Sequence, residues 1–186
     1  MPQQPSVACA TQLSADPLGG AKGSGGSSTM PDARELFRRW YIAPLRRLEE
    51  LPNGDGGFVV LATACFLYER YAKAFLKAAG DSGTTDNLIA RLSADFGIPD
   101  DAARAFWNVI RDGFLHQGMP LIKNQQGNLV DGWRTCATHE HAIELDGKIL
   151  KVEPWRFRDR VLDLFDSRPD LIEHNQSFLW ATIWQE

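Results

Sequence analysis

The sequence predicts a mainly α protein, a helical bundle of about five helices with a small β-hairpin insertion at about residues 121–152 and a disordered N-terminal arm over residues 1–28. Three observations carry this. Apolar residues beyond residue 30 recur mostly at helical spacing. Residues 121–152 abandon that spacing for short runs between two polar turns. Residues 1–28 are rich in Gly, Ser, Gln, Pro and Ala, and the run Gly19–Ser28 has the composition of a flexible linker.

The domain proper, residues 29–186, opens with Thr29, Pro31 and Asp32 as cap, first-turn proline and early acid of a helix. Phe37, Trp40, Tyr41, Leu45, Leu48 and Leu51 keep one apolar face on that helix. Pro44 should kink or split it, because proline removes an amide donor. The turn Pro52–Gly57 separates it from the strongest helical pattern of the chain, Phe58, Leu61, Cys65, Tyr68, Ala72, Phe75 and Leu76, with Glu69, Arg70, Lys73 and Lys77 on another face. Asp86–Phe96 reads as a short helix stopped by Gly97. Pro99 starts the next helix, Asp100 and Asp101 suit its positive end, and Gly118 with Pro120 close it. In the insertion, polar residues Asn124–Asn128 form one turn and Asp146-Gly147 the other, a hairpin signal between AIEL and KILKV. Helix returns at Pro154, with Trp155, Val161, Leu162 and Phe165 apolar, and a last apolar segment runs Phe178–Trp184. Trp155, Trp180 and Trp184 are expected to seal the core.

At 186 residues and 44% hydrophobic content, the chain suits one domain with a real core. A formal charge of −4 argues against nucleic-acid binding through overall positive charge, so any RNA contact would be local. Cys9, Cys65 and Cys136 are odd in number and lie in different segments, which suits a reducing, cytoplasmic setting better than a disulfide framework. No membrane span or signal peptide is expected.

The segment Phe106–Pro120, FWNVIRDGFLHQGMP, carries the chemistry. Residues about 100° apart around a helix place Ala103, Phe106, Trp107, Ile110 and Phe114 on one apolar stripe. Arg111 sits at one edge and His116 at the other, roughly 140° around and about 7.5 Å along a regular helix. Their side chains diverge. A shared site therefore requires a distorted helix end or a second copy of the helix, and Gly113 between them permits bending or close backbone approach.

RDGFLH followed by QG resembles the Arg-x4-6-His signature of the HEPN superfamily, small helical bundles carrying this motif near the end of a late helix. The resemblance covers the helical plan from about residue 31, with its sharp part in six residues. It implies a metal-independent endoribonuclease acting on RNA through 2′-hydroxyl attack, with a composite site at a homodimer interface, no cofactor, and a role in defence or stress. His116 would be the acid/base, Arg111 the phosphate clamp, and Asp112 an orienting group. A regulatory protein or nucleotide activator belongs to the same expectation. Gly118 stands where the toxin branch of the family has the tyrosine of His-x-Tyr, which separates this chain from that branch. The alternative is a non-catalytic module that binds a nucleotide or a protein. In a purely structural role, distinct from both, Arg111 would pair with an acid such as Glu69 and His116 would meet the last carbonyls of its own helix.

Lys148, Lys151, Arg156, Arg158 and Arg160 face only Glu153 and Asp159, and form the preferred RNA-backbone track. A second basic group, Arg34, Arg38, Arg39, Arg46 and Arg47, is nearly cancelled by Asp32, Glu35, Glu49 and Glu50. Cys136, His139 and His141 supply only three candidate ligands, short of a structural zinc set, so no metal site is expected. Gly54, Gly56 and Gly57 lack the lysine and preceding strand of a phosphate loop.

Overall fold

Asp32 caps the first helix by accepting a hydrogen bond from the Arg34 amide at 3.3 Å. In the computed structural model this helix, α1 (residues 33–47), is α-helical over Ala33–Phe37 and Ala43–Arg47 and forms a π turn over Arg38–Ile42. The Ala43 amide reaches back five residues to the Arg38 carbonyl. The disturbance expected from Pro44 thus takes the form of one wide turn ahead of the ring, and the helix continues through it. The structure describes residues 32–124, 127–136 and 140–173. Thr29, Pro31, the arm 1–28, His139, His174 and the segment Phe178–Trp184 lie outside them.

After the short 3-10 turns Leu48–Glu50 and Pro52–Gly54, α2 runs Gly57–Ala78. Its inner face, Leu61, Ala64, Cys65, Tyr68 and Ala72, is buried, and it packs chiefly on α5 (Pro154–Ser167). Between them, α3 (Thr85–Phe96) is capped by Thr84 and ended by Gly97 at φ +62°. α4 (residues 100–117) is the motif helix, and Gly118 at φ +69° closes it. α6 (Asp170–Glu173) is a single turn docked on α1, bringing the described helices to six where about five were expected. The helices meet around Phe157, whose ring stacks on Phe96 at 4.9 Å and lies 4.9 Å from Phe106 and 6.3 Å from Tyr68. Trp155 packs against this core as anticipated.

The insertion holds more than a hairpin. β1 (Lys123–Asn124) and β2 (Gly127–Asn128) form a two-residue ribbon. β4 (Ile143–Asp146) and β5 (Ile149–Val152) are the expected antiparallel pair, with Gly147 at φ +58° in its turn. β3 (Gly132–Thr135) then adds in parallel to β5, giving the order β3-β5-β4. Parallel pairing joins strands distant in sequence, so no local turn signal announces it. The sheet packs on the start of α4, burying Ile143, Leu150 and Val152. Glu153 at the end of the sheet caps α5 through the amides of Trp155 and Arg156. The described residues fall in one compact unit, and none of their helices is long and apolar enough to cross a membrane.

Candidate functional site

The apolar stripe of the motif helix is buried as its spacing predicted, including Ala103, Phe106, Trp107, Ile110 and Phe114. Val109, off that stripe, is buried too. Ala102, on the same side of the helix as Val109, is buried as well, so this side faces the core along with the stripe. The segment also contains a π turn over Trp107–Arg111, where the Asp112 amide reaches five residues back to the Trp107 carbonyl. The distortion sits immediately before Gly113. That glycine serves close approach: a Cβ there would lie 2.5 Å from the Met119 carbonyl oxygen and 2.6 Å from the Leu121 nitrogen. The chain folds back across it, and the Leu121 amide donates to the Val109 carbonyl at 2.7 Å.

Arg111 leaves this turn toward α2. Its Nε donates to Glu69 Oε2 at 2.9 Å and its Nη2 to Glu69 Oε1 at 2.7 Å, a two-point contact. Nη1 donates to Asp112 at 2.5 Å, and the guanidinium lies 4.9 Å from the Trp107 ring centre. Glu69 Oε1 also holds Lys73 Nζ at 2.6 Å. Arg111 and Lys73 are therefore balanced by Glu69 and Asp112. Burial disfavours the charged guanidinium, but its hydrogen bonds to Glu69 and Asp112 outweigh burial and raise its pKa. Burial likewise pushes the Glu69 carboxyl up, and Arg111 and Lys73 overcome it and hold that pKa below the ordinary value. Among the described residues three of the five guanidinium hydrogens are engaged, one on Nε and one on each terminal nitrogen.

His116 lies in the last turn of α4, exposed, with no hydrogen bond or ion pair to another described residue. The structure does not bring Arg111 and His116 together within one chain. Arg111 is drawn to α2, His116 points to solvent, and Asp112 stays with Arg111. The Arg111–Glu69 pairing is the arrangement that the sequence analysis set against a catalytic role.

A groove of about 580 Å³ opens beside this pair, lined by Tyr41 of α1, by Thr63, Phe66, Arg70 and Lys73 of α2, and by Leu115 next to His116. Glu69 lines it as well, which joins it to Arg111. Glu69, Arg70 and Lys73 belong to the polar face that the spacing predicted on α2, whereas Thr63 and Phe66 were not singled out. The signal available was Phe66, an aromatic one turn before Arg70 on that face, and it is 40% exposed.

The preferred basic track is not one cationic face. Lys151 is buried between Glu144 at 3.1 Å and Asp146 at 2.7 Å. Arg158 is buried against Glu49, Asp159 and the Leu45 carbonyl. Arg160 donates to the Asp95 carbonyl at 2.8 Å. Lys151 and Arg158 are buried, and a charge spent in a buried pair holds elements together and offers little to a phosphate. Lys148, Arg156 and Arg160 remain exposed. Among the described residues no group of three His, Cys, Asp or Glu side chains is placed to hold a metal; Cys136 is half-buried and His141 exposed.

Comparison of the chain with protein-family models, curated proteins and solved structures gave no match. The HEPN resemblance therefore rests on RDGFLH and the helical plan.

Proposed function

We propose that the protein is a metal-independent endoribonuclease of HEPN type, active as a homodimer that brings two copies of α4 face to face. One observation carries this reading: Arg111 is held by Glu69, Asp112 and Trp107, while His116, five residues on, is exposed and uncommitted among the described residues. In the reaction, a 2′-hydroxyl attacks the adjacent phosphorus and the 5′-oxygen leaves, giving a 2′,3′-cyclic phosphate and a 5′-hydroxyl. One His116 accepts the 2′-hydroxyl proton and the second donates a proton to the departing oxygen. Histidine's ordinary pKa of about 6.5 suits both roles. The two guanidinium hydrogens of Arg111 that no described residue engages stabilise the charge on the phosphorane. Exposed Val59, Leu115, Met119 and Ile122 at the same end of α2 and α4 supply apolar surface for a second copy.

The complete compensation of Arg111 by Glu69 and Asp112 favours a second reading, a non-catalytic module that binds a nucleotide or a protein. Incubation with RNAs of varied sequence in excess chelator, beside Arg111→Ala and His116→Ala, separates the two. The nuclease reading expects metal-free cleavage that both substitutions abolish. Cleavage that requires metal, or that survives both, would falsify it.

A further inference from the structure

We infer that the outer side of α1 is a surface for the RNA backbone, on which Arg39, Arg46 and Arg47 meet phosphates. This rests on the nuclease reading for its ligand, but the surface itself follows from the way α1 folds. Its arginines come in two pairs, Arg38-Arg39 and Arg46-Arg47, set eight positions apart in the chain. On a regular α-helix, positions eight apart are offset by about 80°. The π turn over Arg38–Ile42 takes in one more residue, so eight residues come close to two full turns and the pairs fall in line. Burial agrees, since Phe37 and Leu45, immediately before the two pairs, are both in the core. The arginines follow at about 100° and 200° around the helix from these, and all four are exposed. The pairs stand roughly 12 Å apart along the axis.

Counted along the chain these charges are nearly cancelled, and folding undoes the cancellation. Asp32 is used as the cap of α1, Glu35 receives Arg38 at 2.9 Å and 2.6 Å, and Glu49 receives the buried Arg158 at 2.9 Å. The hydrogen bonds from Arg38 lower the Glu35 pKa, and Arg39 adds to this only at a distance. Arg39, Arg46 and Arg47 make no ion pair or hydrogen bond with another described residue. Against these three stands the exposed Glu50. Permanently charged, forked donors in line suit a polyanion whose phosphates repeat. With a formal charge of −4 on the chain, such a surface has to be local. Between Arg39 and Arg46 the exposed residues are Trp40 and Pro44, and the apolar face of α1 is spent on the core, which leaves too little to enter a bilayer.

The test is fluorescence anisotropy of the full chain with labelled, 2′-O-methylated RNA strands that cannot be cleaved, over a series of salt concentrations. Arg39→Ala/Arg46→Ala/Arg47→Ala should lower the slope of log K against log salt by about 2, at roughly 0.7 per phosphate contact on a single strand. The loss of affinity should be similar for strands of different sequence, because phosphates carry no sequence. Arg39→Lys/Arg46→Lys/Arg47→Lys keeps the charges and should keep the slope. All three positions are exposed, so the alanine variant should melt close to the wild type. Four results overturn the inference: no RNA binding, an unchanged slope in the alanine variant, loss of binding only in Lys148→Ala/Arg156→Ala/Arg160→Ala, or capture of phosphatidylserine vesicles through these arginines by a protein that leaves RNA free. Binding needs no catalysis here. A protein that holds RNA through these arginines and cuts nothing loses the nuclease reading alone; one that cuts through Arg111 and His116 with its salt slope unmoved by the alanine variant loses this inference alone.

Discussion

Glu69 on α2 and Arg111 on α4 meet through two parallel hydrogen bonds, 2.9 Å from Nε and 2.7 Å from Nη2. A bidentate contact fixes the plane of the guanidinium as well as its position, and stacking on Trp107 fixes its face. The pair thus ties two helices together and sets the direction of the cation proposed to meet phosphate.

Glu69→Gln keeps the shape of this contact and removes its charge. At neutral pH it should destabilise the fold by about 1–3 kcal/mol, the usual cost of unbalancing a hydrogen-bonded charge. Because Arg111 and Lys73 hold the Glu69 pKa below its unfolded value, this contribution is present above about pH 4.3 and is lost as pH falls through the lowered folded value. Urea unfolding should show a constant gap between wild type and variant from pH 7 to pH 5 and a closing gap below about pH 4. A gap still open at the acid limit of folding counts against the pairing.

The two motif residues should separate in stability. His116 is exposed and unpaired among the described residues, so His116→Ala should shift unfolding by less than about 0.5 kcal/mol. Arg111→Ala leaves Glu69 in a mostly buried site with Lys73 as its remaining cation and should cost about 2 kcal/mol. Thermal melts of both variants check this, and they make His116→Ala the cleaner probe of cleavage.

Gly113→Ala pushes a methyl group into the backbone at Met119, Pro120 and Leu121, with contacts as short as 2.5 Å. Backbone cannot swing aside as a side chain can, so a loss of about 1–3 kcal/mol is expected. Hydrogen exchange should report it locally, as faster exchange of the Leu121 amide, whose bond to the Val109 carbonyl spans the same crossing. Unchanged protection of Leu121 contradicts this close crossing of the chain over Gly113.

Arg158→Ala should behave as a folding mutation. The guanidinium reaches the Leu45 carbonyl and Glu49 from a buried position, so its loss should cost about 2 kcal/mol in denaturant unfolding. Lys148→Ala is exposed and should fall within about 0.5 kcal/mol of wild type. Similar stability of the two variants argues that Arg158 is not anchored as described.

Local signals in the sequence determined most of the scaffold. Helical spacing located the face of α2 and the stripe on α4, Gly97 and Gly118 marked helix ends, and Asp146-Gly147 marked the β4–β5 hairpin. These patterns are legible because each is written within a few residues. Arg111 and His116 stood out for the same reason, as did their divergence on one helix. What only the tertiary structure decided involves residues far apart in the chain. Glu69 and Arg111 are 42 positions apart, β3 pairs with β5 across the hairpin, and Arg158 reaches Glu49 from another helix. Within the basic run from Lys148 to Arg160, Lys151 and Arg158 are paired with acids that folding brings to them, which charge counted along the chain does not show. The π turn belongs with these. It widens one turn of α4, and the return of Met119–Leu121 over Gly113 packs against the turn that follows.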